Sequence, residues 1–269
     1  MSIPNENPKA RGLAYSLFLD AADEDYLVAR WAAKVGLQHQ FAWSSQQALE
    51  KYLKCALLLN DIRVANFGHG DLNKMYRKLK GVAERLVPDL LCPPSFFPVR
   101  FLSPTGRFEP TSHFLKRVED NGTPENRYRS HGLFVDLFDL HKFDELVFQI
   151  RRVTVPLDFV FYPRYGATYR EHLLAEPDYQ PHSDFAPLRS TRDQMNGERT
   201  EAFRWRNFSF FEQGALDNGE FSAGTYSRNT HFVRFGQVDH IGADVLEWVL
   251  EMVRFNKADK ESLKSFLEL

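Results

Sequence analysis

Residues 38–60 read QHQFAWSSQQALEKYLKCALLLN. Phe41, Ala42, Ala48, Leu49, Tyr52, Leu53, Ala56 and Leu59 recur there every three to four residues, the spacing that lines one face of an α-helix. Upstream, from Gly12 to Val35, a second stripe runs through Leu13, Leu17, Ala21, Val28, Trp31 and Val35. Ala14, Phe18, Ala22, Tyr26 and Ala29 widen it. Gly36 is a natural stop between the two. Two long helices joined by so short a connection can bury their stripes only by folding back on one another, so an αα-hairpin is expected.

Beyond the loop 61–70, Asp71 has the chemistry of an N-cap. Leu72, Met75, Tyr76, Leu79, Val82, Ala83 and Leu86 then trace a third helix that Pro88 closes. Prolines crowd the segment from Pro88 to Pro110, which reads as a loop. A short helix from His113 to Asp120 ends at Asn121-Gly122, and Leu133 to Thr154 reads as a fourth long helix through Leu137, Leu140, Phe143, Val147 and Ile150. Pro156 marks a change of character. Leu157–Tyr162 and Arg228–Phe235 are candidate strands, and Thr200–Phe211 fits helix or strand. Ile241, Val245, Trp248, Val249 and Met252 give a helix, with a shorter one through Leu263, Phe266 and Leu267. The expected architecture is mainly α: a helical bundle over 12–155 and an extension of mixed α+β structure over 156–269.

The composition excludes several classes. Of 269 residues, 43% are hydrophobic and 26% charged, and no apolar run is long enough to span a bilayer. The N-terminus MSIPNENPKA has neither the basic nor the apolar region of a secretory signal, so a cytoplasmic protein away from the membrane is expected. Cys55 and Cys92 are too few for a disulfide scaffold or a thiolate zinc site, and the His residues at 172, 182, 231 and 240 are scattered. No glycine-rich phosphate loop or Gly-x-Ser-x-Gly elbow is present, and no cofactor is expected. The net charge of −2 rules out a uniformly basic coat but leaves room for a local patch. Residues 51–85 carry one: Lys51, Lys54, Arg63, Lys74, Arg77, Lys78, Lys80 and Arg85 against Asp61, Asp71 and Glu84, a local +5. Such a surface suits phosphate, supplying affinity rather than sequence choice. The acidic group Asp20, Asp23, Glu24 and Asp25 reads as a solvated helix face, and so do Glu50, Lys51 and Lys54.

The string Gln46-Gln47-Ala48-Leu49-Glu50-Lys51-Tyr52-Leu53-Lys54, followed by Gly68-His69-Gly70-Asp71-Leu72, resembles the HEPN family (higher eukaryote and prokaryote nucleotide-binding domains). Asp25-Tyr26-Leu27-Val28-Ala29-Arg30, Glu119-Asp120-Asn121-Gly122 and Asn126-Arg127-Tyr128 look like further segments of that family in its order, over about residues 12–155. The resemblance implies an up-and-down helical bundle, commonly a homodimer, found in RNA-directed toxins of toxin-antitoxin pairs, in defence proteins and in partners of small nucleotidyltransferases. It implies an RNA or nucleotide ligand, for which Lys51, Lys54, Arg63, His69, Lys74, Arg77 and Lys78 are the candidate contacts.

Ribonuclease members of that family pair an Arg with a His, near the last bundle helix, with four to six residues between them. The Arg fork holds the scissile phosphate and the His moves the proton of the ribose 2′-OH without a metal. Here Arg127, Arg129 and His131 lie near the expected position, but only three residues separate Arg127 from His131. Three other pairs, Arg63/His69, Arg107/His113 and Arg234/His240, satisfy the spacing, a number so near the chance expectation for this composition that it carries no information. The principal reading is therefore RNA or nucleotide binding. A metal-independent endoribonuclease using Arg127 or Arg129 with His131 is the alternative, and a protein-partner scaffold is the third.

Overall fold

The computed structural model describes residues 4, 7–92, 108–123, 133, 135, 139–162, 166–175, 197–205, 207, 209–210, 242–253, 260–261 and 264–265. The first helix starts earlier than its apolar stripe suggests. Asn7 Oδ1 accepts the N–H groups of Lys9 (2.9 Å) and Ala10 (3.4 Å), and Pro8 takes the first helical position, where its missing N–H costs nothing. Helix α1, Pro8–Ala14, passes through one π-helical turn, Tyr15–Leu19, into α2, Asp20–Lys34. The expected single helix over 12–35 is thus continuous but carries a widened turn. Gly36 ends it at φ +78°, with Leu37 N–H reaching Ala32 O (2.8 Å) and Gly36 N–H reaching Ala33 O (3.3 Å), the paired bonds of a left-handed C-cap. Helix α3, Gln38–Leu59, then packs along α2 as the expected hairpin.

The remaining elements are α4 (Leu72–Val82), β1 (Leu90–Leu91), β2 (Glu109–Pro110), α5 (Thr111–Asn121), α6 (Asp139–Arg152), β3 (Val160–Tyr162), β4 (Ala167–Thr168), α7 (Tyr169–Ala175), α8 (Gly197–Arg204) and α9 (Ala243–Met252). The strands form two small antiparallel ladders, β1 with β2 and β3 with β4. The fold is mainly helical, and no helix among the described residues is long and apolar enough to cross a membrane.

Helix α3 is the axis of the core. Leu57, Leu58 and Leu59 are all buried, so its C-terminal half is covered on every side, which needs more neighbours than a two-helix hairpin provides. It contacts α2, α4, α5 and α6. Inside this packing lies a polar seam. Asp23 on α2 accepts Tyr52 OH (2.6 Å) and is gripped by Arg151 through Nε (3.1 Å) and an η nitrogen (2.9 Å). One helical turn on, Asp144 accepts Tyr26 OH (2.7 Å) and Arg30 Nε (2.9 Å). These charges are buried, and each has the opposite charge and added hydrogen bonds that burial demands. The acidic run on α2 is therefore not one solvated face. Asp20 and Asp23 point inward, while Glu24 and Asp25 lie toward the surface.

Several expected boundaries shift. Helix three stops at Val82 rather than Leu86, with Ala83 as its C-cap and Arg85 at φ +67°. The fourth long helix begins at Asp139, residues 133 and 135 being non-helical. The β1–β2 ladder pairs the two ends of the proline-rich segment, whose residues 93–107 lie outside the described residues. The strand expected over Leu157–Tyr162 is confined to β3, because Leu157 is a core residue and Phe159 N–H closes a turn on Pro156 O (3.0 Å). Thr200–Phe211 opens inside α8, and the tail helix is α9. Arg228–Phe235 and the helix through Leu263, Phe266 and Leu267 lie outside the described residues. Leu157, Leu173, Phe203, Phe210, Val245 and Trp248 join the same hydrophobic cluster as the bundle. The Met252 carbonyl accepts the N–H groups of Val64 (2.8 Å) and Ala65 (2.9 Å), tying α9 to the loop before α4.

Candidate phosphate-binding surface

Gln46, Glu50 and Lys54 stand at i, i+4 and i+8 on α3 and share one row of the helix. Glu50 is buried, its side chain 5% exposed, and each of its oxygens has one cationic or protonatable partner. Oε1 accepts Lys54 Nζ at 2.6 Å and Oε2 meets His69 Nδ1 at 2.9 Å. The solvated face expected for Glu50 is thus a buried carboxylate at the mouth of the 61–71 loop. The sequence hinted at this only by placing an acid beside the core positions Leu49 and Leu53.

The turn that presents His69 is built locally. Gly70 has φ +89°, a conformation open to glycine, and Asp71 Oδ2 accepts the Gly68 N–H at 2.8 Å. Asp71 sits at the N-cap of α4 without a side-chain bond to that helix, so its expected capping role is replaced. Glu119 on α5 takes over, accepting the Asn73 N–H at 2.8 Å. That cap is invisible to a sequence reading, since its donor and acceptor lie on different helices. The 71% exposed His69 side chain stands out from this frame.

The remaining basic residues divide into two groups. Lys51 is paired with Asp25, Lys54 with Glu50 and Lys80 with Asp89. These three partners lie outside residues 51–85 and bring the local +5 down to +2. Arg63 is exposed on the loop, and Lys74, Arg77 and Lys78 are exposed on one side of α4 with no carboxylate partner among the described residues. Lys74 Nζ lies 5.4 Å from the centre of the Phe67 ring and Arg77 Nε reaches Asn73 O at 3.4 Å, so both cations keep capacity for an anion. Of the seven candidate contacts, the structure gathers Lys54 and His69 on Glu50, aligns Lys74, Arg77 and Lys78 on α4, leaves Arg63 at the surface and turns Lys51 toward Asp25.

Arg127, Arg129 and His131 lie outside the described residues, as do Arg107, Arg234 and His240. His113 is exposed on α5. His141 on α6 is half-buried, and burial holds its imidazole below the ordinary value. No protein-family model, curated protein or solved structure matches the chain.

Proposed function

We propose that this chain is a HEPN-like helical protein that binds RNA or another nucleotide-containing ligand through α4 and the loop before it. The observation that carries the reading is the row of exposed cations on α4, Lys74, Arg77 and Lys78, without a carboxylate partner among the described residues, beside Arg63 in a protein of net charge −2. Exposed lysines and arginines without carboxylate partners exchange counterions freely, and displacing those counterions by phosphates drives polyanion association. Affinity should therefore fall linearly with salt on logarithmic axes. The double substitution Lys74→Glu and Lys78→Glu should weaken binding and flatten that slope by about two phosphate contacts. Several RNAs that fail to bind at low salt would leave the scaffold reading in its place. A toxin-antitoxin or defence setting, with a nucleotidyltransferase as a protein partner, belongs to the same reading and rests on the resemblance of residues 12–155.

The proposed assembly is a homodimer. Its support is an apolar stripe on α2 and the turn after it, where Val28, Trp31, Val35 and Leu37 are each about half exposed. Phe143 and Phe148 of α6 are buried within the chain itself and supply no interface.

A further inference from the structure

We propose that His69 is a proton-gated phosphate ligand: its Nε2 captures a phosphodiester oxygen only in the imidazolium form, so RNA binding takes up one proton at this residue. The proposal rests on the reading of α4 and its preceding loop as the RNA-binding face, and adds to it a subsite and a pH dependence.

The gate follows from which ring nitrogen is engaged. Glu50 Oε2 lies 2.9 Å from His69 Nδ1, and a carboxylate can only accept, so the Nδ1 hydrogen is committed to Glu50. A neutral ring in that tautomer presents a lone pair at Nε2, which repels phosphate oxygens. The doubly protonated ring presents an N–H there, which donates to them. Histidine is the side chain whose ordinary change of charge lies in the physiological range. The Glu50 charge does not close the site to anions, because Lys54 is bound to its other oxygen at 2.6 Å. With the ring protonated, Glu50, Lys54 and His69 together carry one net positive charge. With it neutral they carry none.

Charged groups on the neighbouring elements have partners of their own. On its own loop Asp71 is occupied by the Gly68 N–H, and from α5 Glu119 is occupied by the Asn73 N–H. On α4, the exposed Lys74 lies against Phe67. The imidazole side chain is 71% exposed among the described residues, so a strand of nucleic acid lying along Lys74 and Lys78 can reach it.

The test uses the full chain and a 5′-hydroxyl oligouridylate, whose diesters and bases keep constant charge over the range. Affinity is measured at fixed ionic strength from about pH 5.5 to about pH 8, spanning the histidine titration. A charge-assisted hydrogen bond to phosphate corresponds to about tenfold or more in affinity, so the wild type should lose about that much toward the alkaline end. His69→Gln, which keeps a donor for Glu50 without the titration, should bind with a flat profile, while His113→Gln on α5 keeps the slope. Glu50→Gln lets the ring adopt the other tautomer and should flatten the slope while retaining binding at the alkaline end. Circular dichroism confirms that each variant is folded. Calorimetry in two buffers of different ionisation enthalpy should show proton uptake by the wild type and none by His69→Gln. A flat wild-type profile, or a slope that survives His69→Gln, overturns the proposal, and binding that still yields to Lys74→Glu with Lys78→Glu would then leave the RNA-binding reading standing. Absence of binding at every pH and at low salt overturns both.

Discussion

Glu145, near the middle of α6, accepts the Cys92 N–H at 2.9 Å, yet burial outweighs that bond and pushes its carboxyl up to about 8. Glu109 shows the opposite balance. Burial would raise it, but Arg117 and Lys142 donate to it and hold it below the ordinary value of 4.5. The difference is the partner, a neutral amide for one and two cations for the other. The two therefore act on stability in opposite directions. Glu109 contributes stability above its unfolded value that is lost as pH falls through its depressed folded value. Glu145 holds a proton in the native state that the unfolded chain has released, so its protonated form stops helping as pH rises from about 4.5 toward about 8. Glu145→Gln keeps an acceptor for Cys92 and removes the titration. Its Tm should match the wild type near pH 4.5 and exceed it increasingly up to about pH 8. A constant Tm difference across that window would show that Glu145 is not the group responsible.

Among the elements, the contact of α5 with α3 turns on Gly122, the C-cap of α5. A Cβ built there would stand 2.5 Å from Gln46 Cβ and 2.9 Å from the Ala42 carbonyl oxygen. Gly122→Ala should cost about 1–3 kcal/mol by overpacking, measured by denaturant unfolding. Adding Gln46→Ala should recover little, because the Ala42 carbonyl belongs to the backbone of α3 and cannot turn away; full rescue would show that the side chain alone sets the approach. The sequence announced this glycine only as a helix stop, and the contrast explains what it does and does not reveal. The α2–α3 hairpin, Gly36 and the stripe on α4 were legible because apolar period and C-cap chemistry are local. The π-helical turn at Tyr15–Leu19 has no composition of its own. The inward aspect of Asp20 and Asp23 was hidden because charged residues are mostly exposed, and the partner that admits Asp23 to the core, Arg151, lies 128 residues away. The candidate site was legible in the same measure. The basic residues of 51–85 stood out as a count, but the Glu50–His69 contact spans 19 positions and two elements, beyond the reach of any periodicity.

At the scale of the molecule, two expectations concern what the chain does as a body. The first is assembly. If the α2 stripe of Val28, Trp31, Val35 and Leu37 meets a second copy, light scattering at micromolar concentration should give twice 31.3 kDa, and Trp31→Lys should return the chain to that mass. A mass of 31.3 kDa at every concentration would end the homodimer proposal.

The second concerns whether α8 and the residues after it are an appendage or a part of the core. Phe203 is fully buried, its ring 5.1 Å from Tyr26 and 5.4 Å from Phe210, with the Arg151 guanidinium 5.1 Å away. Arg30, already bound to Asp144, also donates to the carbonyls of Ala202 (3.4 Å) and Trp205 (3.0 Å), and Asn207 donates to Tyr26 OH at 2.7 Å. The polar seam that joins α2 to α6 thus extends into the C-terminal residues, and removing one side leaves buried groups of the other unpaired. Phe203→Ala should therefore lower the stability of the whole chain by about 3–5 kcal/mol, the range for emptying a buried phenylalanine site. Far-ultraviolet circular dichroism, reporting the helices throughout, and near-ultraviolet signals from the aromatic core should move together in one transition. Two separate transitions, with only the smaller one shifted by the substitution, would mean that the bundle folds without its C-terminal partner and that Arg30 and Tyr26 are satisfied by other means.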